Sequence, residues 1–196
     1  MLELKIENLT QLKNVYDPTL VNKALATAVN KATAKAKTQV SRSVRENYTV
    51  KASDVSSAVS FTRAKSGDNE AVLRYVGTRL GLHKFASRVR TVAVRSKNGR
   101  YGYRRKQTRV KVHKKDALTP AIGPNDNGGF TAPDGRVYAR VGVARDKIVS
   151  LMGPSIPQMV DKTKVIDPLN DMLSTELNDQ FAHNLEFFMN QQMGLK

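Results

Sequence analysis

The chain has 196 residues, 40% of them hydrophobic, which suffices for one domain with a stable core. It contains no cysteine, and this excludes disulfides, thiolate metal sites and cysteine nucleophiles. The formal net charge of +16 indicates a polyanionic partner. No apolar run approaches the roughly 20 residues of a membrane span, so we expect a soluble protein with no membrane partner.

The N-terminal part of the chain predicts a strand followed by a long helix. Residues 2–6 alternate apolar and charged side chains, which is the period-two pattern of a half-buried strand. Asp17 and Pro18 form a helix start, because Asp can cap free amides and Pro loses no hydrogen bond at the first helical position. A narrow, alanine-rich stripe then predicts a helix over about residues 18–46, and it consists of Val21, Leu25, Ala28, Ala32, Ala36, Val40 and Val44.

Short elements follow this helix. The sequence predicts a brief helical turn that runs through Ala58 and is capped by Ser53 or Asp54. Strand-like runs come next, at residues 59–63 and 71–76.

A strongly basic element lies between Lys84 and Lys115. It holds thirteen Lys and Arg residues and no Asp or Glu, and therefore most of the excess positive charge. Alternating side chains on two limbs, with Asn98 and Gly99 as turn residues between them, predict a long β-hairpin over about residues 86–115. Its polar tip is expected to project from the domain or to be mobile.

The C-terminal half predicts further strands and a closing helix. Residues 137–143 alternate, and residues 148–152 form a last apolar run that the following Gly and Pro stop. Ser155 and Gln158 have the spacing of a capping box for a short helix. A second Asp-Pro pair, at residues 167–168, predicts the start of an amphipathic helix to about residue 191, whose stripe is Ile166, Leu169, Leu173, Leu177, Phe181, Leu185 and Phe188.

The order of helix, strands and helix predicts an α+β fold in a single domain over residues 1–196. Its expected parts are a long N-terminal helix, an antiparallel β-sheet with a long basic hairpin, and a C-terminal amphipathic helix. Residues 161–196 carry a net charge of −3, so an acidic end accompanies the basic middle. This separation suits head-to-tail contact between copies or two different partners, and simple solvation of both faces is the alternative.

Catalysis has little support in the sequence. The histidines are isolated, with no metal-binding spacing, and neither a nucleophile elbow nor a phosphate loop is present. A nuclease would need clustered carboxylates for Mg²⁺, and the acidic residues are dispersed, although folding could still gather them. We expect no catalytic residue, no metal and no cofactor.

Contact with a polyanion is better supported. Lys and Arg neutralise phosphates without reading base sequence, and interleaved tyrosines can stack on bases. The alternative is docking on an acidic protein surface, for which the chain's own acidic end is a candidate. The residues expected to make such contacts are Arg88, Arg90, Arg95, Lys97, Arg100, Tyr101, Tyr103, Arg104, Arg105, Lys106, Arg109 and Lys111.

The segment at residues 148–159 resembles a signature of the minor tail protein Z family of tailed bacteriophages, which are tail-completion proteins. Its core is Gly153, Pro154, Ser155, Ile156, Pro157, Gln158 and Met159. A preceding strand with Arg140, a terminal helix over residues 176–187 and the stretch at residues 45–51 are also similar to the family. The resemblance covers most of the chain and is weakest at the basic tip. The same motif also suits an ordinary strand–turn–helix junction.

The resemblance implies a structural virion protein of the phage tail or neck that completes the tail and supports head–tail joining. It implies a ring of identical subunits, often a hexamer, around the channel that carries the genomic DNA. Its implied partners are the tail terminator or tail tube protein and the head–tail connector proteins. It implies a location in the virion, after assembly in the host cytoplasm. The competing hypothesis is a cytoplasmic protein that binds nucleic acid without sequence preference.

Overall fold

The computed structural model describes residues 14–95, 102–142, 147–161 and 163–194, without the side chains of 92–95, 102–105 and 163–168. The strand predicted at residues 2–6 lies outside these ranges. The described residues fall into two compact units. Unit 1 draws on Met1–Ser43, Ala58–Val76 and Val160–Lys196, and unit 2 on Val44–Ser57 and Gly77–Met159.

The helices and strands predicted within these ranges occur in the predicted order. The short strands at residues 79–81, 119–120 and 130–131 were not predicted, and the predicted run at 148–152 is divided between two strands. The helices are α1 (Pro18–Asn47), α2 (Ala52–Ser57), α3 (Ile156–Val160) and α4 (Thr163–Gln192). The strands are β1 (Val59–Thr62), β2 (Val72–Tyr75), β3 (Arg79–Gly81), β4 (Ala86–Arg95), β5 (Gly102–Lys111), β6 (Thr119–Pro120), β7 (Phe130–Thr131), β8 (Val137–Arg140), β9 (Ile148–Ser150) and β10 (Met152–Ser155).

The strands pair antiparallel in small sheets. β1 pairs with β2, β3 with β10, and two three-stranded sheets have the orders β4-β5-β6 and β7-β8-β9. With the long helices at both ends of the chain, this confirms the predicted α+β class. The assignment of residues 1–196 to one tail-completion domain stays a prediction. None of the described helices is both long and apolar enough to cross a membrane.

α1 follows its predicted course closely. The carboxylate of Asp17 accepts a hydrogen bond of 2.8 Å from the backbone N–H of Thr19, so it caps the helix as expected. All seven residues of the predicted stripe are buried, from Val21 and Ala28 at 0% exposure to Ala36 at 7%. Most of α1 belongs to unit 1, and its last turn, from Val44 onward, belongs to unit 2.

The core of unit 1 forms where α1 meets α4. Small side chains on α1 allow close packing against larger ones on α4. The predicted stripe of α4 is confirmed for Leu169, Leu173, Leu177 and Phe181, which are at most 5% exposed. The shared cluster consists of Val21, Ala24, Leu25, Ala28, Ala32, Leu177 and Phe181.

The predicted start of α4 is wrong. The helix begins at Thr163, so Asp167 and Pro168 lie inside it. The first four N–H groups of any helix have no intrahelical partner, and Pro at the sixth residue therefore removes only one intrahelical bond.

Lysines of α1 reach across the seam to α4. Lys35 Nζ pairs with the carboxylate of Glu176, and Lys31 Nζ donates a hydrogen bond of 2.9 Å to Asn184 Oδ1. Lys23 Nζ lies 4.5 Å from the centre of the Phe188 ring. The hydrogen bond from Lys35 lowers the pKa of Glu176 below its ordinary value. Three lysines of α1 therefore have partners on α4, in the acidic end of the same chain.

In unit 2, the predicted capping of α2 by Ser53 or Asp54 is wrong, because the helix already begins at Ala52. Asp54 lies in the first turn, where a carboxylate interacts favourably with the free N–H groups of the helix. Its Oδ1 also forms an ion pair with Lys84 Nζ at 2.7 Å.

Replacing Lys35 with Gln should raise the pKa of Glu176 toward its ordinary value of 4.5, because the lysine hydrogen bond is the main cause of the depression. A depressed pKa stabilises the fold above the unfolded pKa, and this contribution disappears as the pH falls through the folded pKa. The stability difference between wild type and Lys35→Gln should therefore be present at neutral pH and vanish in acid. NMR titration of Glu176 and urea unfolding at several pH values measure both effects.

Lys31→Gln is the matched control, since the partner of Lys31 is the uncharged side chain of Asn184. Its stability difference from wild type should stay nearly constant over the same acidic range. An unchanged Glu176 pKa in Lys35→Gln would contradict the assigned ion pair.

Candidate assembly and polyanion-binding surfaces

The basic element contains the hairpin of β4 and β5. The strands pair without a break over ten residue pairs, from Ala86 opposite Lys111 to Arg95 opposite Gly102. β6 then pairs with the base of β5. The hairpin root, defined here as residues 86–91 and 106–111, is the part with described side chains.

Thr49 fastens the hairpin root to the segment that follows α1. Its Oγ1 donates to the backbone carbonyl of Lys111 and accepts a hydrogen bond of 3.1 Å from the N–H of Ala86. Next to Thr49, the centres of the Tyr48 and His113 rings lie 4.5 Å apart. Both strands of the root are thus held at their base within unit 2. The local sequence around Thr49 gives no sign of this role, because nothing in it marks a threonine that binds two strands far away along the chain.

The two faces of the root differ in chemistry. On one face, Thr108 and Val110 are buried at 1% and 4% exposure. Side chains alternate along a strand, so Arg109 and Lys111 lie on the other face. Arg88 is directly opposite Arg109, and Arg90 lies two residues further along the same face. This root basic face therefore consists of Arg88, Arg90, Arg109 and Lys111.

The root basic face has no anionic partner within the described part of the chain. No carboxylate there forms an ion pair with any of its four side chains, and the buried Nε of Arg109 has no hydrogen-bond partner. Residues 86–91 are all exposed, including Arg88 and Arg90. Within the basic element, Lys84 does form an ion pair, with Asp54, but Lys84 lies outside the hairpin root.

The remaining predicted contact residues are only partly described. Lys106 is exposed and pairs with Thr91, so it lies on the face opposite the root basic face. Arg95, Tyr103, Arg104 and Arg105 belong to the paired strands, but their side chains lie outside the described residues. Lys97, Arg100 and Tyr101 lie outside the described residues altogether. For all of these, contact with DNA or with an acidic partner stays a prediction.

The motif at residues 153–159 forms the junction of β10 and α3. The predicted capping box is present: the N–H of Ser155 donates to Gln158 Oε1 at 2.9 Å, and the N–H of Gln158 donates to Ser155 Oγ at 3.4 Å. Ile156 and Met159 are at most 1% exposed. The motif is thus mainly a packing element of unit 2, and a direct role in assembly stays a prediction.

The prediction that Gly153 and Pro154 stop the preceding strand is wrong, since both lie inside β10. The register between β10 and β3 shifts between Met152 and Ser155. Such a bulge suits Pro154, because proline has no N–H to contribute to a regular ladder.

Gly153 makes a close contact that only glycine allows. A Cβ atom at this position would lie 2.6 Å from Cε2 of Phe85, whose ring is buried at 3% exposure. The glycine of the motif therefore makes room for an aromatic ring from the start of the basic element. Sequence spacing could not have indicated this pair, because 68 positions separate its members.

α4 carries an exposed acidic stripe, defined here as Asp171, Asp179 and Glu186. At 100° per residue these side chains fall within an arc of about 80°, opposite the buried stripe of the helix. In the described part of the chain none of the three forms an ion pair. The sequence indicates the net negative charge of residues 161–196, and the helix shows in addition that these three carboxylates share one face.

Metal and catalytic chemistry find no further support. Within the described ranges, no group of three or more His, Asp or Glu side chains is arranged to hold a metal ion. Of the histidines, His113 packs on Tyr48, and His183 lies exposed on α4.

The profile of the prophage minor tail protein Z family matches residues 2–193, nearly the whole chain. The chain belongs to this family. No curated protein and no solved structure matches it. Members of the minor tail protein Z family are structural proteins of phage tails, which assigns this chain to the virion and to contacts with other phage structural proteins.

In this member of the family, Gly153→Ala should lower the free energy of unfolding by about 1–3 kcal/mol, because the new methyl group overlaps the buried Phe85 ring. Gly142→Ala is the control in the same unit, since no heavy atom of the described residues lies within 4 Å of a Cβ there. Its effect should stay within about 0.5 kcal/mol. Denaturant unfolding monitored by circular dichroism measures both, and equal losses in the two variants would contradict the assigned contact.

Proposed function

We propose that this minor tail protein completes the phage tail and supports head–tail joining, as a closed ring around the channel that carries the DNA. The observation that carries the proposal is the family match over residues 2–193. In this role its neighbours are the tail terminator or tail tube protein on one side and the head–tail connector proteins on the other. Assembly takes place in the host cytoplasm before the virion is complete.

The separation of charge supports a ring. In a closed ring with more than two subunits, each copy presents one surface to the preceding copy and a different surface to the next. The exposed acidic stripe of α4 and the excess basic charge of the chain supply two surfaces of opposite sign. A ring of about six copies, the order that the family resemblance implies, needs this kind of heterologous contact.

The acidic stripe is well suited to contact between copies. Its three carboxylates lie on the solvent side of α4, while the other side of the helix holds the core of unit 1. Glu176, a carboxylate of α4 that does form an ion pair, lies beside the contact between α4 and α1. A neighbouring copy can therefore neutralise the stripe without disturbing the fold of unit 1.

Family membership favours this role over that of a cytoplasmic nucleic-acid-binding protein. The match extends over both compact units and includes the buried motif at residues 153–159, so it concerns the fold as a whole. Affinity for nucleic acid remains compatible with a ring around a DNA channel.

Removal of the protein tests the function directly. When phage particles assemble without it, electron microscopy should show filled heads and separate or unfinished tails, because the tail end that accepts the head is incomplete. Supplying the wild-type protein should restore joined virions. Normal joined virions in its absence would exclude a role in tail completion.

The ring can be tested with a variant of the acidic stripe. Asp171→Asn, Asp179→Asn and Glu186→Gln together remove three charges and keep the side-chain size. The ring of this variant should dissociate at a protein concentration at least about tenfold higher than the wild-type ring, because contacts with a basic neighbouring surface are lost. Native mass spectrometry over a dilution series measures the oligomeric state.

The matched control is Asn170→Ala with Ser174→Ala, which changes exposed, uncharged side chains on the same helix but outside the arc of the acidic stripe. It should leave the ring intact. A monomeric wild-type protein at all concentrations, or equal dissociation of the control, would overturn the ring with this interface.

A further inference from the structure

The root basic face concentrates like charges in a fixed geometry. Directly opposite residues in an antiparallel pair have Cβ atoms about 4.5–5.5 Å apart, and like charges in such a pair repel. Arg88 and Arg109 form such a pair, with Arg90 and Lys111 beside them on the same face. The arrangement is unfavourable in the free protein and becomes favourable when an anion lies over it.

The chemistry of this face fits phosphates. The guanidinium group of Arg forms two parallel hydrogen bonds to phosphate oxygens, and three of the four residues are arginines. Arg109 forms no ion pair within the described residues, so no carboxylate there competes with a ligand for its guanidinium group. The exposed side chains of Arg88 and Arg90 can adjust to successive phosphates.

The surroundings favour nucleic acid over an acidic protein. The centre of a protein–protein interface is usually apolar and depleted of charge, whereas protein–DNA interfaces are more polar and strongly positive. The root basic face has no large apolar side chain among its described members, and the exposed Val89 alternates onto the opposite face. No Asp or Glu occurs anywhere between Lys84 and Lys115 to oppose a polyanion.

We propose that the root basic face binds the phosphate backbone of double-stranded DNA without reading its base sequence. The proposal rests on the proposed function for its biological setting, since a subunit of a ring around the channel works beside the genomic DNA. Thr49 holds both strands at the base of the hairpin, so the cations bind from a fixed support. Backbone contacts of this kind orient a protein on DNA and carry no direct sequence information.

The test uses the full-length chain and a fluorescent duplex of 30 base pairs, the length chosen as about three helical turns. Arg88→Gln with Arg90→Gln should weaken binding at least about tenfold at low salt, because two phosphate contacts are lost. The dependence of log affinity on log salt should become shallower by about 2. Fluorescence anisotropy measures both quantities, and a duplex of unrelated sequence should bind equally well.

The matched control removes two exposed arginines near another two-stranded hairpin. Arg63 follows β1 and Arg74 lies in β2, both in unit 1. Arg63→Gln with Arg74→Gln lowers the net charge by the same amount and should change affinity less than about twofold. Arg88→Lys with Arg90→Lys keeps the charge and should retain most of the salt dependence, with a smaller loss of affinity.

Three results would overturn the proposal: no DNA binding by the wild-type chain, equal losses in the two Gln variants, or tighter Arg88-dependent binding of poly-glutamate than of DNA. The last result would assign the face to an acidic protein. Native mass spectrometry of the same samples separates this outcome from the proposed function. An intact ring that does not bind DNA refutes only the DNA contact, and DNA binding by a permanent monomer refutes only the ring.

Discussion

The apolar face of α1 is the feature on which both compact units depend. From Val21 to Ala32 it forms the core of unit 1 together with α4, and its last turn supplies Val44 to unit 2. The chain continues from it into Tyr48 and Val50, which are also buried. One uninterrupted helix keeps these residues on a single face because its side chains repeat every 3.6 residues. A proline or a buried charge on this face would remove core contacts from the unit to which that part of the helix belongs.

The positive charge of the chain is used in two ways. On α1, lysines have partners on α4, and the best placed of them lowers the pKa of Glu176. At the hairpin root, the cations have no anionic partner in the described structure, and Arg88 directly opposes Arg109. The first group contributes to folding within the chain. In the second group, Arg88 and Arg90 are exposed, so water and salt screen their charges and both remain available to a partner.

The motif that carries the family resemblance is part of the core. Gly153 accommodates the Phe85 ring, Ser155 and Gln158 cap α3, and Ile156 and Met159 are buried. This is reasonable for a structural subunit of a virion. Such a protein acts through the shape and charge of its surfaces, and those surfaces keep their positions only when the junctions beneath them are well packed.

Local patterns in the sequence determined the long helices, the stripe of α1, the cap at Asp17, the capping box and the alternating limbs of the hairpin. These features depend on residues no more than a few positions apart, so a short stretch of sequence is enough to predict them. The exact ends of helices and strands also depended on contacts with other parts of the chain. α4 begins before its Asp-Pro pair, and β10 continues through Gly153 and Pro154 because β3 pairs with it.

Only the tertiary structure decided which distant residues meet. Three contacts join residues from 37 to 141 positions apart. They are those of Lys35 with Glu176, of Thr49 with both strands at the base of the hairpin root, and of Phe85 with Gly153. The root basic face likewise required the register that sets Arg88 against Arg109, since a slip of one residue would turn half of these side chains to the opposite face. The sequence by itself determined how much charge the chain carries and which of its segments are amphipathic. Folding decided which charges are neutralised within the chain and which remain free for partners, because that depends on distances between side chains that no local pattern encodes.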